Sequence, residues 1–295
     1  MTAMSGAAQS PSLQIRRADP DDAEVCGRIL YSAFEGINRA HGFAPELPDV
    51  GAGIGVLSML FSSPSFYCVV AEEDGRVVGS NCLDERSPVA GLGPISVDPS
   101  AQNRGIGRAL MTALLDRVRE REFAGVRLLQ SAFHTRSLSL YAKLGFEVRE
   151  PIAVMSGLPT VKTMEGFRVR PALESDIEAC SSLCGHIHGF ARTAELRDAI
   201  ALGAARVVER QDRLTGYACG FGYFGQAVAE STDDLKALIA SAEEVGGPGI
   251  LVPLRNAELF RWCLDNGMRV FIPLTLMTIG VYEDPRGAYL PSILY

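Results

Sequence analysis

The stretch that most constrains this chain is Gln102-Asn103-Arg104-Gly105-Ile106-Gly107-Arg108-Ala109. It follows a short apolar run, Leu92 to Val97, and opens a helical pattern with Leu110, Met111, Leu114, Leu115 and Val118 on one face. A strand, a glycine turn and a helix N-terminus in that order make an anion site. Backbone N–H groups point outward at the helix start, and the macrodipole adds roughly half a positive charge. Gly105 and Gly107 lack the Cβ atoms that would hold a phosphate off the backbone, and Arg104 and Arg108 add side-chain charge. No Gly-Lys-Ser/Thr follows, so this is not a Walker loop. No third glycine stands three residues after Gly107, so the dinucleotide fingerprint is incomplete. Taken alone, the turn reads equally as a helix start packed on a strand.

A second segment decides between these readings. Residues 134–146 read His-Thr-Arg-Ser-Leu-Ser-Leu-Tyr-Ala-Lys-Leu-Gly-Phe. Together the two segments resemble the GNAT (Gcn5-related) N-acetyltransferase family. Gln102, Gly105 and Gly107 match its pyrophosphate motif, and Leu140, Tyr141, Lys143, Gly145 and Phe146 match its second motif. His134 stands where the family usually has Asn, and Ser137 where it usually has Ala. The resemblance implies acetyl-CoA as co-substrate, with its pyrophosphate on residues 102–109 and further contacts at His134 and Ser137. It also implies a pantetheine arm along the strand ending Ile95-Ser96-Val97, and a bulge that splays this strand. Gly91-Leu92-Gly93-Pro94 suits such a bulge. Tyr141 is the expected acid at the leaving sulfur. With reference values near 10 for Tyr and 8.5 for a thiol, full transfer to a free thiolate is uphill by about 2 kcal/mol, so Tyr141 is expected to share its proton as the intermediate collapses.

The bulk composition narrows the partners. A length of 295 residues favours two domains, and 47% hydrophobic with 21% charged residues is globular. A net charge of −7 argues against nucleic acid, because phosphate backbones demand a basic surface; it tolerates cationic acceptors such as amines. No apolar run reaches membrane-spanning length. Residues 1–12 read as a disordered tail without the marks of a signal peptide. Seven scattered cysteines fit thiols in a reducing cytoplasm.

The chain also repeats itself. Arg16, Asp22, Glu24 and Cys26 align with Arg170, Asp176, Glu178 and Cys180 at a constant offset, and His134, Gly145 and Phe146 align with Asn256, Gly267 and Met268. The expected architecture is α/β with mixed α+β layers: two GNAT-like domains at 12–157 and 167–295, joined by a linker at 158–166, each a central mixed sheet flanked by helices. In the first, strands are expected at 13–17, 66–72, 76–84, 92–97, 126–131 and 146–150. Helices are expected at 20–34, 105–122 and 135–143, and Gly51, Gly53 and Gly55 weaken any long helix in 35–62. The second half has no glycine turn. Its helix from Asp234 to Val245 begins among acids that would repel a pyrophosphate, and Cys263 stands in place of Tyr141.

These observations point to an N-acyltransferase in which an amine, on a small molecule or a peptide, attacks acetyl-CoA directly; no cysteine lies in either motif. The base is not identified. Candidate substrate contacts are Asp84 and Glu85 at a strand end, His41 in the region that covers the acceptor in this family, and Arg192 in a second-half groove. Cys180, Cys184, His186 and His188 diverge on a helix and lack zinc-site spacing, so no metal is expected. The chain is expected to be a cytoplasmic monomer or homodimer. The alternative is a non-catalytic acyl-CoA-binding regulatory protein, against which the retention of Tyr141 speaks.

Overall fold

Arg16 and Arg170 show the repeat in three dimensions. Arg16 grips Asp22 at 2.7 and 2.9 Å and reaches Glu72. Arg170 grips Asp176 at the same two distances and reaches Glu209. The computed structural model describes residues 13–294; the proposed tail at 1–12 lies outside the described residues.

The N-terminal half runs β1 (Leu13–Arg17), α1 (Ala23–Ala40), α2 (Val50–Ser62), β2 (Phe66–Glu73), β3 (Arg76–Asp84), β4 (Val89–Leu92), β5 (Ser96–Val97), α3 (Ile106–Glu120), β6 (Gly125–Ser131), α4 (Thr135–Lys143) and β7 (Glu147–Ser156). The C-terminal half follows with β8 (Arg168–Pro171), α5 (Ile177–His188), α6 (Thr193–Ala201), β9 (Arg206–Arg210), β10 (Arg213–Ala218), β11 (Ala227–Ala229), α7 (Thr232–Ala240), β12 (Ile250–Pro253), α8 (Ala257–Asp265), β13 (Arg269–Gly280) and β14 (Ala288–Leu290).

Several boundaries depart from expectation for physical reasons. α2 forms despite its glycines. Asp49 caps it by accepting from Ala52 N at 2.8 Å, and the glycines let it cross α1 closely. A Cβ on Gly27 would lie 2.5 Å from Ile54 Cα, and one on Gly53 would lie 2.6 Å from the Gly27 carbonyl oxygen. The expected strand 92–97 is broken at a cis Gly93–Pro94 bond into the end of β4 and a separate β5. α3 buries the predicted face, Leu110, Met111, Leu114, Leu115 and Val118, beneath β2 and β3.

The two halves exchange their long last strands. β13, from the C-terminal half, pairs with β6 from Gly280 opposite Gly125 to Leu274 opposite Ser131. β7, from the N-terminal half, pairs with β13 on one side and β12 on the other. One nine-stranded sheet therefore runs β1-β2-β3-β4-β6-β13-β7-β12 through both halves, with β5 on β3, and a five-stranded sheet runs β14-β11-β10-β9-β8. Among these strands β4 and β6 are the parallel pair.

Candidate active site

β4 and β6 stay paired only from Val89 to Gly91. Beyond Leu92 the chain turns off and joins β3, with Ser96 opposite Ser80 and Val97 opposite Gly79. This divergence opens a cavity of about 1040 Å³ that reaches from the start of α3 to the C-terminal half.

One end is the glycine turn. Gly105 sits at the N-cap of α3 with φ +88°, and a Cβ there would meet no atom within 4 Å. Ala109 N closes the first helical bond onto Gly105 O at 3.0 Å, which leaves the N–H groups of Ile106, Gly107 and Arg108 without intrahelical acceptors. Ile106 is buried and anchors the turn, while Gly105, Gly107 and Arg108 line the cavity. The turn is braced from both sides. Gln102 donates to Val97 O at 3.1 Å, and Arg136 of α4 donates to Gln102 Oε1 and Asn103 Oδ1 at 2.6 and 2.9 Å. Arg104 is not part of the lining: its guanidinium pairs with Glu73 at 2.9 Å.

The middle holds polar atoms in search of partners. Ile95, Ser96 and Val97 line one wall, and the buried Ser96 Oγ has no protein partner. Gln130 faces it from β6. Its Oε1 accepts from Ser137 Oγ at 3.1 Å, while its buried Nε2 donates to nothing. Sequence reasoning missed Gln130; the available signal was a polar residue ending an apolar strand. Tyr141 is 6% exposed, lies edge-on to Phe146, and its hydroxyl has no hydrogen-bond partner among the described residues. Burial pushes that hydroxyl above its ordinary value. His134 begins α4 without a side-chain cap, and its buried Nε2 is unpartnered. Burial, reinforced by Arg136 and His41, pushes its imidazole down to about 4, so it is neutral at pH 7.

The far end is built by α1, α2 and the C-terminal half. Glu46, in the loop between α1 and α2, is 8% exposed and accepts a hydrogen bond from the Tyr223 hydroxyl. Nothing in the sequence singled out this pair, because its members lie in different halves.

Four suggested substrate contacts are not brought to this cavity. His41 bonds Ile37 O at 3.0 Å and stacks near Phe133, outside the lining. Glu85 pairs with Arg117 at 2.8 Å. Asp84 is held by Arg86 at 2.6 Å, and Arg86 also approaches Glu195 at 3.6 Å and Asp198 at 3.2 Å. Arg192 is buried and pairs with Glu195 at 2.7 Å. Asp84, Arg86, Glu195 and Arg192 thus alternate in sign and join β3 to α6. The reason is charge neutralisation: a carboxylate this deep in protein needs a guanidinium beside it.

The equivalent position in the second half is built differently. β14 pairs with β11 from Ala227 opposite Leu290 to Ala229 opposite Ala288, and adjoins β12. It therefore fills the place that the cavity occupies between β4 and β6. Ser231 caps α7 by accepting from Asp234 N at 3.2 Å, and Cys263 is buried among apolar side chains. Among the described residues no helix is long and apolar enough to cross a membrane.

A strand that splays from its parallel neighbour over a glycine-capped helix N-terminus is the GNAT arrangement. Residues 31–146 match the acetyltransferase (GNAT) family. Residues 31–146 thus carry a GNAT-family domain, and the fold of the chain as a whole resembles that of a tandem GNAT protein. A Pyrococcus horikoshii protein described as a candidate acetyltransferase superposes with a TM-score of 0.73 at 20% identity, covering 98% of this chain and 96% of that one. A tandem GNAT protein from the clavulanic acid biosynthesis pathway superposes with a TM-score of 0.57 at 16% identity, over 91% and 98% of the two chains. In sequence, the mycothiol acetyltransferase of Nocardia farcinica (strain IFM 10152) is 44% identical over 63 residues, and the match spans 21% of each chain.

The cavity suits the co-substrate of this family. Its anion end offers free N–H groups, and the unpartnered Ser96 Oγ and Gln130 Nε2 are the kind of polar atoms that the amides of a pantetheine arm satisfy.

Proposed function

We propose that this protein transfers the acetyl group of acetyl-CoA to an amine and that the N-terminal half does the chemistry. The observation that carries this reading is one continuous cavity joining the open helix start at Gly105 to the unpartnered hydroxyl of Tyr141. Acetyl-CoA bound there supplies an acyl carbon open to attack and a thiol leaving group. The N–H groups of Ile106, Gly107 and Arg108 hold the pyrophosphate and Ser96 and Gln130 hold the arm; as the amine nitrogen bonds to the acyl carbon and the C–S bond breaks, the Tyr141 hydroxyl gives its proton to the sulfur and regains one from that nitrogen. The C-terminal half has β14 in the corresponding slot, which supports a role in shaping the acceptor wall rather than in turnover. The mycothiol acetyltransferases that match a fifth to a third of their length support the acetyl-transfer class rather than a particular acceptor.

The test is calorimetric titration of acetyl-CoA into the wild type and two variants, Gly105→Asn and Gly105→Asp. Both residues tolerate positive φ, and only one adds charge. We expect the Asn variant to stay within a few-fold of wild type and the Asp variant to lose at least tenfold in affinity. Equal binding by both variants, or no binding by the wild type, overturns the reading.

A further inference from the structure

The charges along the cavity are segregated. Its cationic residues, Arg108, Arg136 and Lys143, belong to α3 and α4 at the anion end, and among the described residues Glu46 is the one acidic residue in the lining. Around Glu46 the wall is apolar, with Phe34 and Ile37 of α1, Leu47 and Val56, and Phe224 and Pro248 of the C-terminal half. Two neutral donors hold the carboxylate. The Tyr223 hydroxyl donates to Oε2, and Asn38 Nδ2 donates to Oε1 at 3.3 Å. Asn38 is itself buried and also donates to Ala44 O, which fixes the loop that carries Glu46. No lysine or arginine pairs with Glu46 among the described residues.

A carboxylate enclosed by apolar side chains and met only by neutral donors is undercompensated. Its burial raises its carboxyl above the ordinary range. Either a proton or an incoming cation relieves that cost. The surroundings select which cation: there is apolar surface for a hydrocarbon body and no second carboxylate for a further positive charge.

Resting on the acetyl-transfer reading, we propose that Glu46 is the acceptor anchor, that it receives the ammonium group of a monoamine carried on an apolar body, whose nitrogen attacks after giving its extra proton to solvent, and that Tyr223 positions it from the other half of the chain. The substrate class that follows is an arylalkyl or alkyl amine rather than an amino acid or a polyamine. An amino acid would bring a carboxylate toward Glu46, and a polyamine would bury a second charge without a partner.

The experiment measures two bindings separately in the full-length protein. 2-Phenylethylamine is titrated alone into wild type, Glu46→Gln and Tyr223→Phe, and acetyl-CoA is titrated into the same three proteins. A charge-assisted hydrogen bond lost to an isosteric amide costs about ten- to a hundredfold in amine affinity. Tyr223→Phe, which leaves the carboxylate in place, is expected to cost less and to be seen in the amine KM rather than in kcat. Acetyl-CoA affinity is expected to stay within twofold in both variants. Amine binding that is equal in wild type and Glu46→Gln overturns the anchor, as does acetylation of leucine or spermidine in preference to 2-phenylethylamine. Amine binding lost in Glu46→Gln, in a protein that fails to bind acetyl-CoA, upholds the anchor and overturns acetyl transfer.

Discussion

The carbonyl oxygen of Leu294 occupies the place where a side chain on residue 91 would begin: a Cβ on Gly91 would lie 1.7 Å from it. Gly91 is the last residue of β4 paired with β6, and Ile293 and Leu294 line the cavity, so the end of the chain lies against the point where the two strands part. Gly91→Ala must displace this segment, because both partners are backbone. We expect a loss of about 1–3 kcal/mol in stability from overpacking and a raised amine KM. Thermal melts and steady-state kinetics check this; a variant equal to wild type in both would show that the segment yields freely.

Tyr141→Phe removes the proposed proton donor and little else, since the hydroxyl bonds no protein group among the described residues. The expected result is a fall in kcat of about a hundredfold with acetyl-CoA affinity within a few-fold of wild type. Thiol release is the measurement, and full kcat in the variant would reduce Tyr141 to a packing residue.

His134 makes stability depend on pH. Its imidazole titrates near 6.5 when unfolded and about 4 when folded, so between these values the unfolded chain binds more protons. Stability is present above pH 6.5 and is lost as pH falls toward 4. His134→Asn removes this dependence. The difference in Tm between variant and wild type should move in the variant's favour by about 2 °C or more from pH 7.5 to pH 5. A constant difference would mean that the ring is solvated.

Arg86 sits between the buried carboxylates of Asp84 and Glu195. Arg86→Met leaves Asp84 buried without its guanidinium, at a cost of about 3–5 kcal/mol in urea denaturation. A loss under about 1 kcal/mol would show that water replaces the ion pair.

A fragment ending at Ser156 keeps β7 but lacks β13, so the edge of β6 has no native partner. Such an edge recruits other chains. Size-exclusion chromatography should find the fragment associated or aggregated, and co-expression with residues 157–295 should restore a soluble complex. A monomeric fragment with native circular dichroism would contradict the exchange.

The sequence made the local features legible. The Gly105 turn, the buried face of α3, the Tyr141 motif and the repeat of Arg16 and Asp22 as Arg170 and Asp176 are all carried by residues within about one helix of each other. What it hid was non-local. The expected strand at 146–150 carries no partner information, so the exchange between halves is not visible in the sequence. Asp84 reads as a strand-end carboxylate and Arg192 as part of a second-half groove, yet Asp84 is held by Arg86 and Arg192 by Glu195, with Arg86 reaching Glu195 across the halves. Glu46 went unnoticed because its partner Tyr223 is far away in the chain. Gly51, Gly53 and Gly55 weaken a long helix by propensity, whereas the close approach of α1 and α2 requires a missing Cβ at Gly53.

The exchange of β7 and β13 also bears on how this protein is made and inherited. During synthesis β6 leaves the ribosome long before β13 exists, so the sheet that carries the cavity waits with an unpaired edge until residues 269–280 have emerged. A chain terminated before β13, like a gene fragment carrying the first half alone, therefore leaves the β6 edge without its partner strand. Having traded strands, the two copies differ in sequence, yet each holds a strand that completes the sheet of the other.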